Sequence, residues 1–205
     1  MCKKTVNIAV LVSGGGTNLQ ALIDAGKSGA LHSGTIKLVI SDKKGAYALE
    51  RAEAAGIKTA VVPKEKGADN AGLEKAILSL LEENGIELIV LAGFMTILSK
   101  DFVSRYEKRI INVHPSLIPA FCGAGFYGLK VHEAALAYGV KVTGATVHFV
   151  NEVADGGEII LQKAVKVLDG DTPERLQKRV MRLAEWKILP AATETVCEKI
   201  LEGRL

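Results

Sequence analysis

The chain has 205 residues, 48% hydrophobic and 24% charged, the balance of an ordinary soluble protein with enough length for one sizeable core. Its net charge of +3 is small, and Lys and Arg alternate with Asp and Glu throughout; this argues against a nucleic-acid partner and suits a small anionic substrate. No apolar run approaches the length of a membrane span, and the first residues lead straight into a strand-like run, so no membrane partner and a cytoplasmic location are expected.

Residues 6–12 form a run apolar except for Asn7 and stopped by Ser13-Gly14-Gly15-Gly16, which predicts a buried parallel strand. From 17 to 25 the apolar spacing becomes helical, with Leu19, Leu22 and Ile23. A glycine turn between strand and helix sets backbone N–H groups and a positive helix end where an anion can bind, making Gly14, Gly15, Gly16, Thr17 and Asn18 candidate contacts. No Gly-Lys-Ser/Thr follows, which excludes a Walker A loop, and Leu19 fills the third glycine position of a dinucleotide fingerprint. Asp42 could imitate a ribose-binding acid but lies 28 residues after Gly14, beyond the usual spacing. A single phosphate therefore fits better than a pyrophosphate, with a ligand-free tight turn as the alternative.

The alternation continues with strands at 36–40, 59–62 and 88–91 and helices at 46–55 and 71–83. After the strand at 88–91 comes a glycine and then Phe94, Met95, Thr96, Ile97 and Leu98, an apolar stretch where a plain helix would be expected. A short helix near 100–106 precedes a strand at 110–113. There Asn112 and His114, two apart, should project from one face, and Pro115 should end the strand. An amide donor beside an imidazole at a strand tip suits a developing oxyanion; polar residues that merely satisfy a turn are the alternative.

A glycine- and aromatic-rich loop, 123–128, leads to a helix at 129–138. Strand-like runs at 142–150 and 158–167 flank Asn151-Glu152-Val153-Ala154-Asp155-Gly156-Gly157 and read as an antiparallel pair added to the sheet. Thr172-Pro173-Glu174 starts a long amphipathic helix to about residue 200, which Pro190 should kink or divide. The prediction is an α/β fold: one domain, an open, mostly parallel Rossmann-like sheet with helices on both faces and an antiparallel strand pair in the C-terminal half. Cys2, Cys122 and Cys197 show no CxxC pair, which excludes a disulfide framework and fits a reducing cytosol. His32, His132 and His148 share no element at ligand spacing, so no metal is expected; His148, alternating within a strand, reads as a structural residue.

SGGGTNLQ at 13–20, LAGFMTILS at 91–99, INVHPSLIP at 111–119, TVHFV at 146–150 and DGGEIILQ at 155–162 occur in the order seen in one family. Across almost its whole length the chain resembles the folate-dependent phosphoribosylglycinamide formyltransferases of purine biosynthesis. The resemblance implies a formyltransferase fold over residues 1–205, with a nucleotide-binding half to about 108 and a folate and catalytic half from about 109. It implies catalysis by Asn112, His114 and Asp155, and ribonucleotide binding by the Gly14–Asn18 loop with Arg182 and Glu185. It also implies folate walls formed by Phe94, Met95, Thr96, Ile97 and Leu98, by Asn112, and by Asn151, Glu152, Val153, Ala154 and Asp155.

The substrates so implied are 5'-phosphoribosylglycinamide and 10-formyltetrahydrofolate, used by a monomer or homodimer without a metal. Thr96 departs from the pattern, standing where some relatives carry Arg beside the folate, and the segment 121–127 is longer than in short-loop relatives. The competing readings are a formyltetrahydrofolate hydrolase, an NAD(P)-dependent oxidoreductase and a non-catalytic phosphate-binding module. The first would require an added N-terminal regulatory domain. The missing third glycine argues against the second, and the third leaves Asn112, His114 and Asp155 without a joint purpose.

Overall fold

The computed structural model describes residues 4–64 and 69–205; Cys2 lies outside them. Strands form at β1 (Val6–Val12), β2 (Gly34–Ser41), β3 (Lys58–Val61), β4 (Leu88–Leu91), β5 (Ile110–His114), β6 (Val142–Phe149) and β7 (Ile159–Lys166). Helices form at α1 (Thr17–Ser28), α2 (Tyr47–Ala54), α3 (Ala71–Glu83), α4 (Lys100–Arg105), α5 (Leu129–Tyr138), α6 (Pro173–Val180) and α7 (Trp186–Leu201). Every strand, and every helix up to α5, lies within three residues of the range its sequence pattern predicts.

One sheet carries all seven strands in the order β3-β2-β1-β4-β5-β6-β7. The pairs from β3 to β5 are parallel, and β6 and β7 add on antiparallel, as their long alternating runs predict. β1 is apolar at every position but Asn7 because both its faces are covered. Val6, Ile8, Val10 and Val12 pack with Leu19, Leu22, Ile188 and Leu189 on one side. Ala9 and Leu11 pack with Ile77, Leu81 and Phe102 on the other. Burying each large aliphatic side chain contributes about 1.5–3 kcal/mol, so these two layers hold the sheet rigid beneath its loops.

The last helix divides elsewhere than at Pro190. Met181–Glu185 forms a π turn, and Pro190 sits inside α7. The ring of Pro190 crowds the carbonyl of Trp186, four residues earlier, and denies it a donor. The backbone gives way in the turn leading up to that carbonyl, where the Trp186 N–H reaches back to the Met181 carbonyl.

Gly157 is fixed by close approach. A methyl there would lie 1.7 Å from the carbonyl oxygen of Phe149, which belongs to backbone that cannot swing aside. Gly157→Ala should therefore lower stability by about 1–3 kcal/mol or more. Gly26→Ala in α1, with nothing within 4 Å of the new methyl, should raise it by up to about 1 kcal/mol. Urea unfolding midpoints of the two variants check both; a stable Gly157→Ala protein would mean the β6–β7 connection relaxes freely.

Candidate active site

The sheet reverses its strand order at β1, with β2 on one side and β4 on the other. In open α/β sheets the crevice at the C-terminal ends of such strands is where ligands bind. Residues 13–16, 92–99 and 115–128 leave the sheet there, and the π turn packs beside them on the α1 side. The 150–158 connection leaves β6 beside Ile110, at the start of β5, and reaches the crevice through Asp155, which meets His114 and Gly123.

Gly16 caps α1 with φ 70°, and a side chain there would meet Ala48 at 2.6 Å, so both conformation and space demand glycine. The Gly14 carbonyl accepts from the Ala48 N–H at 3.1 Å, and the Gly15 carbonyl accepts from Arg51 Nε at 2.9 Å. Because peptide units are planar and trans, the Gly15 and Gly16 N–H groups then face away from α2. Gly14 and Gly15 are exposed, and Thr17 is half-buried at the first helical position. Asn18 is buried; its Nδ2 donates to Glu185 Oε2 at 2.8 Å, while its Oδ1 has no partner among the described residues. Burial pushes the Glu185 carboxyl up to about 6, against the pull of the Asn18 hydrogen bond. Arg182 stays exposed, because residues three apart no longer share a face in a π turn. The structure thus joins Glu185 to the glycine loop and leaves Arg182 outside.

The 92–99 segment is irregular because four partners hold it. Its Met95 N–H donates to Ser13 Oγ, Asn70 donates to the Ile97 carbonyl, Glu74 accepts from Ser99, and Thr96 Oγ1 donates to Asp42 Oδ2 at 2.9 Å. Thr96 is therefore turned inward and buried, whereas Met95 and Ile97 are 47% and 74% exposed. Phe94 and Leu98 pack against the core on the α3 side. In the 151–155 loop Asn151 accepts from the Val153 N–H, and Asn151, Glu152, Val153 and Ala154 are exposed. An ion pair between Lys100 and Glu152 at 2.8 Å ties this loop to the end of the 92–99 segment, and Glu152 raises the Lys100 ammonium above its usual range. Met95, Ile97 and Val153 are thus apolar groups left exposed on two tethered walls.

Asn112, His114 and Asp155 converge despite their separation in sequence. His114 Nδ1 lies 3.5 Å from Asp155 Oδ2, and its Nε2 donates to the Phe121 carbonyl at 2.9 Å. Both nitrogens thus face oxygen atoms. The Gly123 N–H donates to Asp155 Oδ2 at 2.8 Å. Burial opposes the charge of Asp155, but the His148 hydrogen bond, the Gly123 N–H and the two imidazoles outweigh it and hold this carboxyl below the usual carboxylate range.

His148, expected as a hydrogen-bonded strand residue, is that and also lies against Asn112 and Asp155. It pairs directly with Asn112 across β5 and β6, as Thr146 pairs with His114. Its Nδ1 donates to the Phe149 carbonyl at 2.8 Å, and its Nε2 lies between Asn112 Nδ2 at 3.2 Å and Asp155 Oδ1 at 3.5 Å. One side of the Asn112 amide thus lies against His148, and its other N–H is left for a ligand. The strand register carried this signal: residues opposite Asn112 and His114 share their face. His132, on α5, is fully buried, and neither ring nitrogen has a partner among the described residues. Burial and then the charge of His114 push it down to about 4.

Glu185 generates a test of stability against pH. Its carboxyl titrates near 4.5 when unfolded and at about 6 when folded. The folded protein thus holds an extra proton between these values, and stability falls as pH rises through them. Above pH 6 the full cost is present, about 2 kcal/mol. Glu185→Gln keeps an acceptor for Asn18 without the charge, so it should gain up to about 2 kcal/mol at pH 7.5 and almost nothing at pH 4.5. Urea unfolding at the two pH values measures this; equal gains at both would exclude the buried charge as the cause.

Residues 6–193 match the formyl transferase family. The chain is 42% identical to the phosphoribosylglycinamide formyltransferase of Haemophilus influenzae, over 97% of this chain and 88% of that protein. The crystal structure of phosphoribosylglycinamide formyltransferase from Brucella melitensis superposes with a TM-score of 0.85 at 43% identity, covering 95% of this chain and 96% of that one. The trifunctional purine biosynthetic protein adenosine-3 of Homo sapiens is 47% identical over 95% of this chain, which spans 18% of that protein's length. The chain belongs to the formyl transferase family, and its kinship along nearly its whole length is to the phosphoribosylglycinamide formyltransferases.

Proposed function

We propose that this chain transfers the formyl group of 10-formyltetrahydrofolate to the primary amine of 5'-phosphoribosylglycinamide, in the cytoplasm, as a step of de novo purine (IMP) biosynthesis. The observation that carries this reading is the convergence of Asn112, His114 and Asp155 at the edge that also holds the glycine loop and Glu185.

The Gly15 and Gly16 N–H groups and the positive end of α1 receive the phosphate. The unpartnered Asn18 Oδ1 and the Glu185 carboxylate accept from the sugar hydroxyls or the glycinamide end, with Arg182 at the rim. The flat heterocycle of the folate enters between Met95, Ile97 and Leu98 on one wall and residues 151–155 on the other, where apolar walls and a few backbone groups suit it. Phe94 and Thr96 support that first wall from behind.

In the reaction the amine nitrogen attacks the formyl carbon, and the carbonyl oxygen takes up the electron pair as an oxyanion. Asn112 donates its free N–H to that oxygen, and protonated His114, oriented by Asp155 through Nδ1, adds a charged donor by turning its Nε2–H from the Phe121 carbonyl to the oxyanion. The carbon–nitrogen bond to the folate then breaks as the oxyanion collapses; the attacking nitrogen has lost a proton and the folate nitrogen gains one. No covalent enzyme intermediate is needed, because holding amine and formyl donor together supplies much of the acceleration.

Purified protein with 10-formyltetrahydrofolate should turn over, followed by folate absorbance, when the ribonucleotide amine is present and not without it. Amine-independent turnover would mark a hydrolase instead. Asn112→Ala and His114→Ala should each lower the rate by about 10²–10³-fold, the scale of losing one oxyanion donor; near-normal rates in both variants would end their assigned roles. Asn18→Asp puts negative charge beside the bound phosphate and should weaken ribonucleotide binding on the order of tenfold by calorimetry. Unchanged affinity would move the phosphate elsewhere.

A further inference from the structure

We propose that His32, Glu194 and Glu198 form a surface site for one first-row divalent cation, clamping α7 to the connection between α1 and β2. One ring nitrogen of His32 and one oxygen from each glutamate all lie within 4.8 Å of one another. His32 comes from the turn after α1, whereas Glu194 and Glu198 stand four apart on α7 and so share a face. The cluster is assembled across 162 residues, and neither ligand spacing nor motif announces it in the sequence.

Two features distinguish this cluster from a simple ion pair. The first is that the two carboxylates are like charges with oxygens held close together, an arrangement that costs stability on a helix unless a cation sits between them. The second is the fixed bite of the first two donors. Glu194 is anchored by the His32 and Ser33 N–H groups at 2.9 and 3.0 Å, which hold its oxygens in place, and its Oε1 lies 3.0 Å from His32 Nδ1. Two donors 3.0 Å apart, each about 2.1 Å from a shared ion, subtend close to 90° at it. That angle suits six-coordination better than a tetrahedron, and one imidazole with two carboxylates suits Mn²⁺, Co²⁺, Ni²⁺ or Zn²⁺ over Mg²⁺. His32 is more than half exposed, which leaves room for water at the remaining positions. Cys197 is no ligand, since its sulfur is buried against Gly34.

The site lies away from the catalytic edge, beside the start of β2, so its consequence is mechanical. A bound ion would fix α7, whose N-terminal end follows the π turn bearing Glu185, to the chain that leaves α1, which bears Asn18.

Calorimetric titration of the purified chain with Co²⁺, alongside Mg²⁺, tests the proposal. The expected result is one Co²⁺ per chain with the weak visible absorbance of a six-coordinate ion, and at least tenfold poorer binding of Mg²⁺. His32→Ala and Glu198→Gln should each weaken Co²⁺ at least tenfold and abolish a melting-temperature rise of several degrees at saturating Co²⁺. Both side chains are exposed, and Glu194, which holds backbone, is left intact. Formyl transfer without added metal should be the same in both variants as in the parent. Co²⁺ affinity unchanged in both variants, or no binding at millimolar Co²⁺, overturns the site.

Discussion

Asp155 adopts φ 54°, a left-handed conformation unusual for a residue with a side chain, and its carboxylate faces the Gly123 N–H, His114 and His148. Four segments that are remote in sequence meet at this one group: the end of β5, the loop before α5, strand β6 and the turn into β7. Each partner stabilises the ionised carboxylate, and ionisation keeps each partner in place. The Phe121 carbonyl and the Gly123 N–H, two residues apart, reach His114 and Asp155 in turn. The loop after Pro119 is thus part of the site's framework as well as its rim. Removing the charge would free both the loop and the imidazole, so His114 depends on Asp155 for its aim more than on its own strand.

The two parts of the sheet serve different ends. The parallel strands, buried on both faces, fix the glycine turn by burying everything around it, and α2 then ties down the turn's carbonyls through Ala48 and Arg51. The antiparallel strands do something a parallel pair could not do over so short a distance. They place His148 directly opposite Asn112 and Thr146 opposite His114. Thr146 then accepts from the Ile118 N–H and donates to the Ser116 carbonyl, fixing the chain just after Pro115. Switching strand direction at β5 thus gives the site side chains from two strands on one face.

Elements with a strong period and clear punctuation could be read directly. The run of β1 ends at three glycines, α3 shows its apolar stripe, and Pro115 stops β5, so both fold class and the Asn112–His114 pair follow from local sequence. The remaining features depend on partners that lie far off in the chain. His148 looked structural because its importance comes from register with β5. Thr96 gave no sign that it would turn in toward Asp42, 54 residues away. The π turn is the mildest case: Pro190 announced a break, but where the strain is released depends on how Glu185 and Ala184 pack inward. Asp155 itself would read as an Asp-Gly turn residue without the family pattern around it.

Two buried titrating groups bracket this site, and their effects on stability oppose each other. Glu185 is raised to about 6, so in the interval from pH 4.5 to 6 the folded protein carries a proton the unfolded chain has released. His132 is lowered to about 4, so in the same interval the unfolded chain carries a proton the folded protein refuses. The slope of stability with pH follows the difference in bound protons, and here one gained and one lost sum to none. Each group alone would tilt the stability curve, and together they flatten it through mild acid. Beyond the interval they separate. Toward pH 4 the His132 contribution is lost without compensation; above pH 6 the cost of the Glu185 charge stands, while neutral His132 costs nothing. The protein therefore carries a destabilising buried carboxylate at neutral pH, at the position where the proposed ribonucleotide needs an acceptor. A cost that persists at the working pH and would be relieved by hydrogen-bond donors of a bound ligand is what a binding group shows and a packing group does not.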